Sequence, residues 1–332
     1  MGNILVSINC ITFNHENYIR EAIESFLIQE TNFDFEILIG DDCSKDNTQN
    51  IINEYIEKYP DKVKLITSKE NVGARKNARR VFEASRGKYI AVCEGDDFWT
   101  DPKKLQKQFD YMEKNKECNL VFSNVKHLND KTKKVNINNV TKGGKYYLEE
   151  VILNGGGFIP TATIFYRKNI MENPPAFYEK ASVGDYPLQI ICSLDGYVYC
   201  MEEVTAMYRV DVKNSWTSKQ LKRINKEIYI NNWNNTLSLL DMVNEYTQYR
   251  YNDIIMKTKL PIEFNIYILS CEKINKDEII KRNFVNIYDN FSKKEKLDLY
   301  IKGNYTGLYM KLDNFKRNIK NKIKDLIGLV VR

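Results

Sequence analysis

Over the first 125 residues the apolar pattern switches repeatedly between two periods, and this alternation restricts the fold more than any other feature. Ile4–Asn9 (ILVSIN), Phe35–Ile39 (FEILI), Val63–Ile66, Tyr89–Cys93 (YIAVC) and Leu120–Ser123 are short apolar runs of strand type. Helical spacing lies between them. It runs through Ile19, Ala22, Ile23, Phe26 and Leu27 in Tyr18–Ile28, and through Ile51, Ile52, Tyr55, Ile56 and Tyr59 ahead of Pro60. Asn77–Ser85 and Pro102–Asn115 complete the series, the latter with Pro in its first turn. Strands alternating with helices predict an α/β fold, a mostly parallel sheet covered on both faces. Such sheets bind ligands beyond the carboxyl ends of their strands.

Three polar clusters sit at that position: ITFN at Ile11–Asn14, GDDCSKDNT at Gly40–Thr48 and EGDD at Glu94–Asp97. After Asp41 and Asp42 two readings stand together. One is a carboxylate that accepts hydrogen bonds from a base or ribose; the other is turn chemistry, with Ser44 or Asp46 capping the next helix. EGDD is the sharper signal, because bare carboxylates about 4 Å apart repel by roughly 4 kcal/mol at an effective dielectric near 20. Mg²⁺ or Mn²⁺ would relieve that, since hard cations take carboxylate and phosphate oxygens. Asp101-Pro102 reads only as a helix start, and Phe98 and Trp99 as residues that wall the site or pack beneath it.

Several classes are disfavoured. No GxGxxG lies between a strand and a helix, and no GxxxxGK[ST] occurs, which removes support for a dehydrogenase or a P-loop enzyme. Two histidines, His15 and His127, are too few to suggest a His-based zinc centre or a Ser-His-Asp triad. Seven cysteines without a CxxC pair fit reduced thiols. The opening MGNILVSINCITF has no basic n-region, and no stretch of about 18 apolar residues occurs, so the expectation is a cytoplasmic chain. The net charge of +6 is concentrated in Lys311–Arg332, which holds seven Lys/Arg and two Asp. The remainder is nearly neutral, so a nucleic-acid partner is not expected.

Downstream, residues 126–145 read as a polar loop, Thr161–Tyr166 as strand-like, Gly184–Leu194 as a short helix, and Tyr197–Met201 and Thr205–Val210 as two strands. From Lys219 onward the pattern is mostly helical and polar.

Taken in order and spacing, ITFNHENYIREAIES, EILIGDDCSKDNT, NVGARKN, RGKYIAVCEGDDFW and VGDYPL resemble an inverting family 2 glycosyltransferase of the GT-A fold, over about residues 4–216. The resemblance implies a Rossmann-like nucleotide-diphospho-sugar transferase domain at 1–216 and a helical C-terminal region at 217–332. It implies that Thr12, Phe13, Asn14, Asp42, Lys76, Asn77, Asp96 and Arg209 contact the nucleotide-sugar, within them the segment Asn71–Asn77. Asp97 and Asp96 match the metal and ribose pair called DxD, with Asp97 the direct ligand of Mn²⁺ or Mg²⁺. Asp185 matches the catalytic base. Glu94 stands where many members have Asp and is expected to face away from the metal or to support it from behind. Tyr208-Arg209 is followed by Val210, Asp211 and Val212 rather than by the His of many relatives, so Arg209 or Lys213 is expected to meet the diphosphate instead.

The implied reaction moves a sugar, from a UDP-sugar by default, to a hydroxyl of a surface glycan, a lipid-linked glycan or a protein such as flagellin. Rivals are a non-catalytic sugar-nucleotide binding module, against which the intact Asp42, Asp97 and Asp185 argue, and a nucleotidyltransferase, whose glycine- and arginine-rich loop is absent. In the tail, Phe315, Ile319, Ile323, Leu326, Ile327 and Val330 recur at helical spacing among basic residues. That pattern suits either a helix on an anionic membrane, beside a lipid-linked acceptor, or a docked helix with a solvated basic face. The extension is expected to shape acceptor access or homo-oligomer formation.

Overall fold

A computed structural model describes residues 4–137, 140–212, 226–270, and Arg282, Phe284 and Val285. The chain divides into two compact units, 1–219 and 220–332. The domain boundary expected at 216, Lys213 and the basic tail 311–332 lie outside the described residues.

In the first unit, strands β1 (Ile4–Thr12), β2 (Asp34–Asp41), β3 (Val63–Thr67) and β4 (Tyr89–Val92) alternate with helices α1 (Ile19–Leu27), α2 (Thr48–Lys58) and α3 (Ala74–Ala84). Then come β5 (Phe98–Trp99), α4 (Lys104–Lys114), β6 (Cys118–Asn129), β7 (Val135–Asn136), β8 (Gly144–Tyr146) and α5 (Leu148–Asn154). The unit closes with β9 (Phe165–Arg167), α6 (Ala176–Lys180), α7 (Asp185–Leu194) and β10 (Tyr197–Val210). The strands form one sheet in the order β3-β2-β1-β4-β9-β6-β10-β5, with β7 on β6 and β8 on β10. The long ladders, β1 with β2, β2 with β3, β1 with β4 and β6 with β10, are parallel. The antiparallel pairings are short, with β9 bridging β4 and β6.

Burial explains the arrangement. Val6, Ile8, Ile37, Ile39, Tyr89, Ala91, Val121 and Phe165 share one core with Ile19, Ile23 and Phe26 of α1 and Ile52 of α2. Burying each such aliphatic side chain contributes about 1.5–3 kcal/mol. Because β2 and β4 lie on either side of β1, the loops after β1, β2 and β4 open at the same end of the sheet. That is a strand-order reversal, where α/β sheets hold ligands.

The structure corrects several expectations. The polar stretch 126–145 is not all loop: β6 continues to Asn129 because β10 pairs with it along its whole length. The two runs expected at Tyr197–Met201 and Thr205–Val210 are one strand, interrupted only by register shifts around Val204. Thr161–Thr163 is a 3-10 turn, and the strand begins at Phe165. Phe98–Trp99 forms a short rung on β10, which the period-based reading does not show.

In the second unit, helices Lys226–Tyr246 and Asn252–Ser270 are joined by a turn in which Gln248 and Tyr249 have φ of 53° and 59°. Asn244 Nδ2 donates to Asn252 Oδ1 at 3.0 Å across that turn, and Phe284 packs on Phe264 and Tyr267. No helix of the described residues is long and apolar enough to cross a membrane.

Candidate active site

The loops after β1 and β2 are stitched together before any ligand is considered. Asn14, at φ 56°, donates its N–H to Ser44 Oγ at 2.8 Å and accepts from Lys45 N at 2.7 Å. His15 N donates to Thr48 Oγ1, Glu16 N to Asp46 Oδ2, and Asn47 N to Glu16 Oε2. Asp41 takes the turn role: it accepts from Ser44 N at 2.9 Å, from Gln49 Nε2 at 2.6 Å, and from the Ser44 hydroxyl. Asp46 accepts from Thr48 N at 3.1 Å, capping α2. The turn reading of DDCSKDNT thus holds for Asp41 and Asp46.

Asp42 is buried, and its carboxylate accepts from Val72 N at 2.7 Å and Gly73 N at 2.9 Å. Gly73 supplies the turn into α3 with φ 87°, a region disfavoured for residues with a Cβ. Asp42 therefore ties the 71–77 segment to the end of β2. Within that segment Lys76 is exposed. Asn77, expected at the nucleotide, is corrected to a supporting position. It is 1% exposed, and its amide donates to Gly40 O at 2.7 Å, packing under β2. Thr12 is buried, with no hydrogen-bond partner for its Oγ1 among the described residues, and Phe13 is half-buried at the loop start.

The acidic cluster follows β4. Gly95 N donates to Ile11 O at 2.9 Å, and a Cβ at Gly95 would lie 2.8 Å from Thr12 Oγ1, so only glycine lets the turn close on β1. That closure gathers Glu94, Asp96 and Asp97, each offering an oxygen within 4.8 Å of the others. Of the two expected placements for Glu94, facing away is excluded, because the tight turn directs it into the same cluster. Burial, then Asp96 and Asp185, push the Glu94 carboxyl up to about 8. Asp97 is 1% exposed and is raised well above the usual carboxylate range, by burial first and then by Asp96 and Glu94. Its Oδ1 accepts from Arg209 N at 2.7 Å, which ties the turn to β10 beyond the β5–β10 pairing. Its Oδ2 has no hydrogen-bond partner among the described residues. An uncompensated buried carboxylate oxygen is costly, and this donor set of hard oxygens fits a divalent cation.

Arg209 serves the cluster from behind. Its Nη1 donates to Asp96 O at 2.5 Å, its Nη2 pairs with Glu21, and its guanidinium lies over the rings of Phe98 (4.6 Å) and Tyr18 (5.2 Å). At 7% exposure with both terminal nitrogens engaged, Arg209 braces the acidic turn; the expected diphosphate contact is replaced by that role. Trp99 packs beneath: its Nε1 donates to Ala162 O at 2.7 Å, and the buried Lys104 ammonium sits 4.1 Å from its ring.

Asp185 is the first residue of α7. Burial raises its pKa, while hydrogen bonds from the Tyr186 and Asp185 N–H groups and the charge of Arg75 pull it back. The charge of Asp185 adds to the forces that raise the Glu94 carboxyl, after burial and Asp96. Two further residues escaped the sequence reading. His15 Nε2 stands 3.9 Å from Asp96 Oδ2, and Glu21 holds Arg209. Both lie in the ITFNHENYIRE stretch, but nothing in their spacing signals a partner more than 80 residues away.

Comparison with known proteins agrees with this geometry. Residues 7–173 match the description Glycosyl transferase family 2. An uncharacterized protein of Mycobacterium tuberculosis is 33% identical over 220 residues, which is 66% of this chain and 62% of the relative; the chain therefore spans under two thirds of that relative's length. Among solved structures, Staphylococcus aureus TarS 1-349 superposes with a TM-score of 0.58 at 16% identity, covering 90% of this chain and 81% of TarS. The mannosyltransferase PcManGT from Pyrobaculum calidifontis gives 0.50 at 10% identity, covering 86% and 88%. At such identities the likeness is one of fold, and that fold is the GT-A α/β architecture. With the match spanning half of its residues, the chain belongs to glycosyl transferase family 2.

Proposed function

We propose that the protein is an inverting glycosyltransferase that moves a sugar from a nucleoside diphosphate donor, by default UDP, to a hydroxyl of a glycan, a lipid-linked glycan or a protein. The observation that carries this reading is Asp97 Oδ2, buried and without a hydrogen-bond partner among the described residues, beside Glu94 and Asp96 past the carboxyl end of β4, with the charge of Asp185 acting on Glu94. Two fold relatives support it: TarS has a crystal structure in complex with UDP-GlcNAc, and PcManGT one in complex with GDP-Man and Mn²⁺.

Glu94, Asp96 and Asp97 would hold Mn²⁺ or Mg²⁺, which when bound offsets the charge developing on the diphosphate. Asp42, with the 71–73 backbone drawn onto it, forms the nucleobase side of the pocket. Asp185 accepts the proton of the acceptor hydroxyl. The hydroxyl oxygen bonds to the anomeric carbon as the bond from that carbon to the diphosphate oxygen breaks, and the nucleoside diphosphate leaves with the electron pair. A single displacement inverts the anomeric configuration. The raised pKa of Asp185 suits a proton acceptor better than that of a solvated carboxylate.

The test is a thermal shift against UDP, GDP and CDP in Mn²⁺, followed by hydrolysis of the matching nucleotide-sugars. Stabilisation by one nucleotide, lost in Asp97→Ala, is the expected result. Equal behaviour of the wild type and Asp97→Ala, with no turnover of any donor, would overturn it.

A further inference from the structure

Among the described residues the guanidinium of Arg75 is hydrogen-bonded to backbone carbonyls rather than to a carboxylate, and its charge acts on Asp185. Arg75 sits in the first turn of α3, half-buried, two residues beyond the backbone that Asp42 holds. Its guanidinium spans two neutral acceptors on another part of the chain: Nη1 donates to Val183 O at 2.6 Å and Nη2 to Tyr178 O at 2.6 Å. The same group lies 4.7 Å from the centre of the Tyr178 ring. The Val183 carbonyl lies in the connection from α6 into α7 and the Tyr178 carbonyl within α6, and Asp185 begins α7 two residues after Val183.

This arrangement is specific to arginine. A planar fork reaches two carbonyls at a fixed separation while its face stacks on an aromatic ring, whereas a lysine ammonium is a single point with no plane. Neither Tyr178 nor Val183, whose carbonyls Arg75 holds, belongs to the apolar cluster around β1. What it does connect is the segment leaving Asp42 and the residue carrying the candidate base.

We propose that Arg75 is a positioning residue for Asp185. By clamping the Tyr178 and Val183 carbonyls to the start of α3, it sets where α7 begins and so where the Asp185 carboxylate stands relative to the donor held at Asp42. This rests on the reading of Asp185 as the base. Donor recognition and proton removal then share one path of hydrogen bonds: the Asp42 carboxylate, the Val72 and Gly73 N–H groups, the first turn of α3, the Arg75 fork, and the connection into α7.

The experiment uses the full chain with Mn²⁺ and the nucleotide-sugar whose nucleoside diphosphate stabilises the wild type most. Hydrolysis kinetics are measured for Arg75→Ala, Arg75→Lys and Asp185→Asn. A base displaced by about 1 Å costs about 100-fold in rate, so Arg75→Ala is expected to lose about that in kcat while donor KM and the nucleotide thermal shift stay within about twofold. Arg75→Lys, which keeps the charge but not the fork, is expected to recover only part of the loss. It also carries the test if Arg75→Ala does not fold. Normal kcat in Arg75→Lys, or in a folded Arg75→Ala, overturns the proposal. A raised donor KM at unchanged kcat overturns it too, by making Arg75 a donor contact. Wild-type turnover in Asp185→Asn sinks the base reading itself. An inactive Asp185→Asn beside normal Arg75 variants sinks only the positioning role.

Discussion

Glu36 and Asp97 are carboxylates buried at opposite ends of one sheet, and their surroundings drive them in opposite directions. Glu36, near the start of β2, accepts from Ser7 Oγ at 2.8 Å, Arg86 N at 2.8 Å and Arg86 Nε at 2.8 Å, with Lys64 at 3.5 Å. Burial works to raise its pKa, but the hydrogen bonds and charge of Arg86 and the Ser7 hydroxyl outweigh it and hold the carboxyl below its ordinary range. Asp97, past the end of β4, has one partner for two oxygens and two acidic neighbours, and it is pushed well above that range. A structural carboxylate is satisfied by its own chain; one that serves a ligand is left partly unsatisfied. On the proposed function, that difference sets the ligand-binding end of the sheet apart from the structural one.

The largest effect expected is at that end. Asp185→Asn removes a proton acceptor, which is worth about 10²–10⁴-fold in rate, and should leave the melting temperature nearly unchanged. If Asp185 is the base, as proposed, it works only when deprotonated. Because its pKa is raised, turnover should fall as pH drops through a value above the ordinary 3.8 for Asp. A kcat profile flat down to pH 4 would break this assignment.

Next, Asp97→Asn and Glu36→Gln are expected to separate activity from stability. Asp97→Asn loses several kcal/mol of charge stabilisation at the reacting centre, about 100-fold or more, yet in EDTA its melting temperature should hold or rise, since a poorly compensated buried charge is removed. Glu36→Gln should lose about 1–3 kcal/mol of stability by leaving buried donors poorly matched, with turnover per folded molecule unchanged. Similar denaturation midpoints for the two variants would erase the contrast.

The smallest effect is in the pH dependence of melting. With Glu94 raised from 4.5 to about 8, its protonated form favours the metal-free fold, so that stabilisation is present below about pH 4.5 and is lost as pH rises toward 8. Glu36 has the opposite sign: its contribution is present above 4.5 and is lost as pH falls through its depressed value. Melting in EDTA should therefore decline between pH 5 and 8, and Mn²⁺ should flatten that decline. An identical slope with and without Mn²⁺ would separate the acidic cluster from metal binding.

Much of the first unit was legible in the chain. The alternation of periods holds from Ile4 to Lys114 because each element there is amphipathic or fully buried in its own right. It fails where long-range pairing decides. The polar end of β6 is a strand because β10 lies beside it, and Phe98–Trp99 is a strand because Ala206 and Met207 face it. The same division runs through the site. EGDD was visible as chemistry in excess of what a turn requires, DDCSKDNT left turn and ligand readings side by side, and VGDYPL stood out only through the family resemblance. That Asp41 serves the turn while Asp42 holds Val72 and Gly73 was not visible, nor was the use of Asn77 beneath β2 and of Arg209 behind the acidic turn.

The amino-acid order by itself determined the layered α/β class, the loops that carry the chemistry and the residue types available there, because periodicity and composition are local properties of the chain. Only the tertiary structure decided which carboxylates are satisfied and which are not. Hydrogen-bond partners such as Arg86 for Glu36, Arg209 for Asp97 and Val183 for Arg75 come from 50, 112 and 108 residues away, and no local pattern encodes them.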